Sequence, residues 1–341
     1  MSTVRGGQGT MDSVATKKRA ILGPVLSCPS CHGHLDEEQE QYACAACRTN
    51  YPVHNGIPRF ASKLSGSEKQ IRRSFNHQHL KYLDSSFLHF GPDLIEQWLR
   101  DIQLPGDFFR DKLVLDAGCG SGRWTYAMAS LGARVVAVDL TEAGVDITGR
   151  ATAHLENVAT LQASIFDLPF QPQSFDLVVS WGVLHHTPNT KAAFERVAPL
   201  VRRGGQLYVM VYESHNPVKF LCTDVIRWLL RWLPEDRRYR ACKLLLIKNR
   251  LLCSALTRLI ICTPYPASGD PLDVSTRQLG LYDAYSPLFN HLHTWQEVFA
   301  WFHEQDFDDV MLTKPVRYTS RLDILQQGEC GGSVNVRGTR T

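Results

Sequence analysis

No stretch of this 341-residue chain approaches the roughly 20 consecutive apolar residues that cross a bilayer as a helix. A helical membrane span is therefore not expected. Charge of one sign is not in excess: 37 Lys and Arg stand against 34 Asp and Glu, a net +3. The whole chain thus lacks the concentrated basic character of a nucleic-acid binder. No internal repeat occurs beyond two short cysteine pairs, which excludes a solenoid or propeller. No apolar secretory leader opens the chain, and six of its ten cysteines are scattered, so a reducing cytoplasm is the expected location. The first twenty residues are polar and Gly-rich; Lys17-Lys18-Arg19 is too short for an address signal, and residues 1–20 read as a disordered tail. What remains is 44% hydrophobic, enough for a globular protein with a substantial core.

The most specific stretch is Val114-Leu115-Asp116-Ala117-Gly118-Cys119-Gly120-Ser121-Gly122-Arg123. An apolar strand runs into an acid, then alternating glycines, then a helical pattern, as at the first strand-to-helix turn of a nucleotide-binding α/β sheet. A dinucleotide fingerprint requires glycine at 123, and that residue is Arg123. Asp116 would repel a pyrophosphate. A phosphate-free, positively charged ligand suits the turn better, and S-adenosylmethionine, with its ammonium and sulfonium, fits. Glycines there let backbone approach the ligand and tolerate positive φ.

Further strands are expected at 133–139, 159–163, 175–180 and 207–212, the last after an Arg203-Gly204-Gly205 turn, with a helix over 142–155. Strand and helix patterns alternate, which predicts a parallel doubly wound sheet. Asp139 lies about 20 residues past the glycine turn, where a carboxylate reaches ribose hydroxyls.

These segments resemble class I S-adenosylmethionine-dependent methyltransferases of the type 11 group. The resemblance rests on Val114 to Arg123, Asp139, Asp167-Leu168-Pro169-Phe170, Ser174 to Val178, Val183-Leu184-His185-His186-Thr187-Pro188 and Arg202 to Gly205. It implies a seven-stranded Rossmann-like sheet, with Gly118, Gly120 and Gly122 at the methionine end of the cofactor and Asp139 on its ribose. The group often carries an acid four residues before the Leu of Leu-Pro-Phe, against the adenine amine. This chain has Ser164 there, a weaker acceptor, so the backbone of Ile165 is expected to contribute.

Cys28-Pro29-Ser30-Cys31 and Cys44-Ala45-Ala46-Cys47 are two knuckles twelve residues apart. Four thiolates at this spacing can close a tetrahedral Zn2+ site. About 40 residues bury little core, so the metal would supply the folding energy of such a module. His32 and His34 are read as bystanders. Tyr51 to Phe60 resembles the end of small Trm112-like zinc ribbons, and similar ribbons precede the catalytic domain of some guanine-N1 ribosomal RNA methyltransferases.

The domain reading is a zinc ribbon over 21–62, a helical linker or cofactor lid over 63–105, a sheet core over 106–216, a helical cap with a substrate loop over 217–289, and a closing part of the core over 290–341. Helical spacing runs through Ser67–Leu83 and Asp93–Ile102, with Phe75 and Tyr82 as lid candidates. In 217–264, apolar runs at 220–233, 244–247, 251–252 and 259–261 are read as helices. Ten Lys or Arg and three acids fall between Lys219 and Arg258. Three readings stand open: a cap over the substrate pocket, a membrane-surface patch through 217–262, and an RNA-facing patch. Thr294 and Glu297 form a capping-box pattern for a helix over 295–305, followed by strands at 308–313 and 333–337.

His185 and His186 follow the fourth strand at the ligand-binding edge of the sheet, and either is a candidate base for a hydroxyl or amine. Tyr212, His291 and His293 are further candidates. The polar-Pro-Pro-aromatic clamp of enzymes that methylate exocyclic nucleobase amines is missing, its place taken by Leu184-His185-His186-Thr187-Pro188. The resulting expectation is an S-adenosylmethionine-dependent methyltransferase acting on oxygen or carbon of a small molecule. A ribosomal or transfer RNA methyltransferase that docks through its ribbon, and a non-catalytic scaffold, are the alternatives.

Overall fold

The computed structural model describes residues 20–38, 40–85, 88, 90–214, 217–316 and 332–341. The tail expected over 1–20 lies outside the described residues except for residue 20.

The chain begins with an antiparallel sheet of β1 (Leu35–Glu37), β2 (Gln41–Cys44), β3 (Asn50–His54) and β4 (Ile57–Pro58), paired in that order. Helix α1 (Gly66–Lys81) follows, opened by a full capping box: Ser65 Oγ accepts from Glu68 N, and Glu68 accepts from Ser65 N. Helix α2 (Pro92–Ile102) starts at a proline in its first turn. The central unit then alternates β5 (Leu113–Ala117), α3 (Arg123–Ser130), β6 (Arg134–Asp139), α4 (Glu142–Ala151), β7 (Val158–Gln162), β8 (Phe175–Trp181), α5 (Thr190–Val197) and β9 (Val201–Tyr212). An insertion carries α6 (Pro217–Leu230), α7 (Glu235–Cys242), β10 (Leu246–Ile247), α8 (Arg250–Leu256), β11 (Thr263–Pro264) and α9 (Pro271–Tyr285). Helix α10 (Trp295–Glu304), β12 (Phe307–Leu312) and β13 (Ser333–Arg340) close the chain.

The large sheet has the order β12-β13-β9-β8-β5-β6-β7. Strands β5 to β9 pair in parallel, and β13 enters antiparallel between β9 and β12. The seven-stranded sheet that the resemblance implies is thus present, with β13 as the antiparallel strand of an otherwise parallel sheet. Side chains alternate between its faces. Val114, Val135, Leu177 and Val179 pack with Trp98 of α2 and Met128 of α3, while Leu115, Val136, Val178 and Val209 pack with Phe194 of α5 and Phe302 of α10. The insertion has a separate core around Cys242, Leu246, Val274, Tyr282 and Tyr285.

Three local expectations change. The Arg203-Gly204-Gly205 turn is absorbed into β9, whose pairing with β8 shifts register beside Leu177. Gly204 takes φ +72°, which relieves the irregularity without breaking the strand. Helix α4 stops at Ala151 rather than 155, where Thr152 Oγ1 bonds back to the Thr148 carbonyl at 2.7 Å. Of the apolar runs at 244–247 and 259–261, neither is α-helical. Leu246–Ile247 pairs in parallel with Thr263–Pro264, because a short apolar run fits strand as well as helix and a local partner decides.

The N-terminal module is docked to the central unit by backbone. Ser27 N donates to the Pro169 carbonyl at 2.9 Å, Gln171 N to Val25 at 2.9 Å, and Phe60 N to Gln162 at 2.7 Å. Arg59 adds an ion pair to Asp146 of α4 at 2.6 Å. The loop after β7 is held from outside by this module.

Candidate active site

Strands β6 and β8 lie on opposite sides of β5, so the chain reverses direction of winding there. The crevice at the carboxyl ends of such strands is where open α/β sheets take ligands. It holds a cavity of about 340 Å3.

The floor is the glycine turn. Gly118, Gly120 and Gly122 have φ of +99°, +53° and +84°. A Cβ on Gly118 would lie 2.2 Å from Val183 Cγ2, so no side chain fits between the turn and the loop after β8. Gly118 and Gly120 line the cavity; Gly122 lies beneath, against Thr148. Asp116 is not in the lining. Its carboxylate is buried and accepts from Thr125 Oγ1 of α3 at 2.6 Å, and burial pushes its pKa up to about 7.

Asp139 ends β6 inside the cavity. Its Oδ2 accepts from Gly120 N at 3.0 Å, and its Oδ1 from the Thr141 amide at 2.8 Å and hydroxyl at 2.7 Å. Thr141 Oγ1 in turn lies 2.8 Å from His79 Nδ1. The hydroxyl proton is committed to Asp139, so Nδ1 of His79 donates and its Nε2 is left bare on the cavity side. Desolvation holds His79 below the ordinary imidazole value, and the ring is neutral.

Helix α1 forms the roof. Glu68, Ile71, Phe75, Gln78 and His79 line the cavity from one side of the helix, joined by Tyr82 just past its end. Both lid candidates named from sequence, Phe75 and Tyr82, are among them. Glu68 was not foreseen as a site residue. Its Oε1 accepts from Ser164 Oγ at 2.5 Å, while Oε2 accepts from Ser65. The carboxylate missing at position 164 is supplied from α1. The only signal in the sequence was Ser65-x-x-Glu68, which reads as a helix start. Ser164 and Ile165 both line the cavity.

The two histidines after β8 part company. His186 lines the cavity; its Nδ1 lies 3.0 Å from the Phe289 carbonyl and therefore donates, leaving Nε2 buried with no protein partner. Desolvation, the largest influence on it, keeps His186 below the usual imidazole value, hence neutral. His185 is not in the lining. It is fully buried, with its ring 3.9 Å from the Tyr212 ring centroid, and desolvation lowers its pKa well below the usual value. It packs beneath the site. His291 and His293 are occupied with Thr187 and Thr190. Tyr212 reaches the cavity and donates to Asp283 of α9 at 2.5 Å; Gln78 donates to the other oxygen of Asp283 at 2.8 Å. Leu279 and Gly280 of α9 complete that wall.

Away from the cavity, the Sγ atoms of Cys28, Cys31, Cys44 and Cys47 lie within 4.8 Å of one another. The Cys28–Cys47 pair is at 3.7 Å and the Cys31–Cys44 pair at 3.4 Å. Bonds of about 2.3 Å from zinc to sulfur give tetrahedral sulfur–sulfur edges of about 3.8 Å, whereas a disulfide requires about 2.05 Å. The two knuckles repeat one backbone form. His32 N donates to the Cys28 carbonyl and Arg48 N to Cys44, with φ of 58° at both residues. Neither His32 nor His34 joins the cluster, and the donor set is four sulfurs that suit a soft divalent ion.

Residues 115–209 match the family described as "Methyltransferase domain". The ubiquinone biosynthesis O-methyltransferase of Dechloromonas aromatica (strain RCB) is 34% identical over 130 residues, which cover 36% of this chain and 54% of that protein. The protein of the same name from Xanthomonas campestris pv. campestris (strain B100) is 36% identical over 132 residues, 37% of this chain and 54% of its own length. The chain spans about half the length of the curated relatives it matches. Among solved structures, phospholethanolamine N-methyltransferase 2 of Haemonchus contortus, in complex with phosphomonomethylethanolamine and S-adenosylhomocysteine, is 12% identical. It covers 81% of this chain and 60% of that one with a TM-score of 0.49.

Proposed function

We propose that this protein methylates a hydroxyl oxygen of a small molecule with S-adenosylmethionine as donor. The observation that carries the reading is the bare, buried Nε2 of a neutral His186 facing the cavity whose floor is Gly118–Gly120 and Asp139. The methyltransferase-domain match over 115–209 and the O-methyltransferase relatives support it.

When bound, S-adenosylmethionine supplies a methyl group made electrophilic by its sulfonium. The residues fit such a ligand. Asp139 offers carboxylate lone pairs for ribose hydroxyls beside the Gly120 amide. Glu68, anchored by Ser65 and Ser164, presents a carboxylate for an exocyclic amine, and its pKa is lowered by Ser164 and Ser65 against the opposing pull of burial, so it stays ionised. Ile165 lines the same wall. The glycine turn admits the chain end that carries the ammonium, a role that a side chain at 118 would block.

His186 Nε2 accepts the proton of the acceptor hydroxyl, and its Nδ1–H···O bond to Phe289 holds that tautomer. Phe75, at 5.2 Å from the His186 ring centroid, helps exclude water, as does the rest of α1. Insertion helix α9 contributes Asp283, so 217–289 acts as a cap on the acceptor side. The four-cysteine cluster takes zinc, and the ribbon it holds braces residues 169–171, just past the Ser164–Ile165 wall. Titration calorimetry with S-adenosylmethionine and S-adenosylhomocysteine, then labelled methyl transfer to a panel of phenolic and catecholic hydroxyls, tests the reading. Absence of cofactor binding by the folded protein would refute it.

A further inference from the structure

Helix α6 carries an apolar stripe on the side turned away from the protein. Its polar residues face the protein: Lys219 Nζ donates to the Thr257 carbonyl at 2.6 Å, Thr223 is buried, and Arg227 donates to Asp224 at 2.9 Å and to the Ala284 carbonyl at 2.8 Å. Ile226 and Leu230 pack on the core of the insertion, but a second apolar set faces away. Leu221, Val225, Trp228 and Leu229 recur three and four apart, and Trp232 continues the stripe past the helix end. Leu221 is 65% exposed and Trp232 69%. The following segment adds Leu244, Leu251, Leu252 and Leu259, the first two at 80% and 84%. Among the described residues, the only exposed large hydrophobics outside 218–259 are Leu80 and Leu83.

A helix face turned to water is ordinarily polar, and an apolar patch this extensive marks an interaction surface. The charge of the segment that carries it identifies the partner. Arg231, Arg237, Lys243, Lys248, Arg250 and Arg258 are exposed, whereas the one exposed acid between 217 and 262 is Asp236, which faces His77 at 3.7 Å. Arg231 lies over both tryptophan rings, at 5.7 Å from Trp228 and 5.2 Å from Trp232. That places a guanidinium beside amphipathic rings, an arrangement suited to the phosphate layer of a bilayer with the rings just below it. No helix of the described residues is long and apolar enough to cross a membrane.

We propose that the outer face of α6–α8 docks flat on an anionic phospholipid bilayer. Nucleic acid would use the cations but has no use for Leu221, Leu229 and Leu251. A second copy of the chain would cover the leucines but would set one cationic rim against another. An anionic bilayer satisfies both features at once. Arg227 binds the carbonyl of Ala284, next to Asp283 in the cavity wall, so the docked helix is separated from the cavity by α9 alone. The inference does not rest on methyl transfer, because vesicle binding is read without turnover.

The test is co-sedimentation of the full chain with vesicles of phosphatidylcholine alone and of an equimolar mixture with phosphatidylglycerol. The expected result is sedimentation with the mixed vesicles, much less with phosphatidylcholine, and release by salt. Leu221→Gln/Trp232→Gln should lower partitioning about tenfold, as should Arg231→Gln/Arg250→Gln. Both pairs are exposed, so an unchanged melting temperature and unchanged S-adenosylmethionine binding will show that the variants fold. Three outcomes would overturn the proposal: a folded protein that stays in the supernatant with every vesicle; vesicle binding that Leu221→Gln/Trp232→Gln leaves intact; or a dimer that this double variant dissociates, or RNA binding that Arg231→Gln/Arg250→Gln abolishes, in a protein that ignores vesicles.

Discussion

Ser164 and Glu68 are 96 positions apart in the chain, yet their side chains share a hydrogen bond of 2.5 Å at the wall of the cavity. Helix α1 thereby delivers a carboxylate to a place where the local sequence has only a hydroxyl.

Glu68→Gln should weaken S-adenosylmethionine binding by about 10- to 100-fold, the usual value of a hydrogen bond to a charged group. Ser164→Ala, which leaves the carboxylate in place, should weaken it less. Calorimetric Kd values decide; equal losses from the two changes would mean that Glu68 merely caps its helix.

His186→Ala should leave cofactor affinity within about twofold and lower turnover at least about tenfold, the low end for loss of a general base. The pH profile carries the sign. The working form is the neutral ring, and its pKa is depressed below 6.5, so the rate should be flat above pH 6.5 and fall only in more acidic solution as the ring gains a proton. His185→Ala should instead act on stability, because its ring is buried against that of Tyr212 and does not line the cavity. A rate that climbs from neutral to alkaline pH would argue against His186 as base.

Asp116 predicts a pH dependence of folding. Its carboxyl is pushed up from 3.8 to about 7 by burial, only partly opposed by Thr125. The folded protein therefore holds a proton that the unfolded chain releases between these values. Stability contributed by this group is greatest below pH 4 and declines as pH rises toward 7, by an amount on the order of 4 kcal/mol, at about 1.4 kcal/mol for each of about three units. Asp116→Asn should flatten that decline in the ligand-free protein. Melting temperatures of both forms across pH 5 to 8 provide the comparison, and parallel curves would show that Asp116 ionises normally.

Metal analysis should find about one zinc per chain, as four closed thiolate ligands require. Chelation, or Cys44→Ser, should release it and unfold residues 21–62. Because that module holds Pro169 and Gln171, cofactor affinity should fall in parallel, although no cysteine of the cluster lines the cavity. A zinc-free protein with unaltered melting and affinity would remove the bracing role.

Much of the fold was legible because it is written in short-range pattern. The apolar strands around Val114 and Val135, the glycine turn with its positive φ, and the Thr294–Glu297 capping box each declare themselves within ten residues. The insertion was legible only in part. Leu244–Ile247 has no periodicity long enough to separate strand from helix, and its partner at Thr263–Pro264 lies beyond local reach. The orientation of α6 was hidden as well, since an amphipathic stripe does not say which side meets the protein.

By itself the sequence determined the alternation of strand and helix, the position of the glycine turn and the pairing of the four cysteines in two knuckles, since backbone sterics, side-chain periodicity and short spacings act over a few residues. Tertiary packing alone decided that Glu68 meets Ser164, that His186 faces the cavity while its neighbour His185 packs beneath it, and that α6 turns Leu221 and Leu229 outward. Those outcomes depend on which distant element supplies a hydrogen-bond partner or excludes water, and chain-local pattern does not encode that choice.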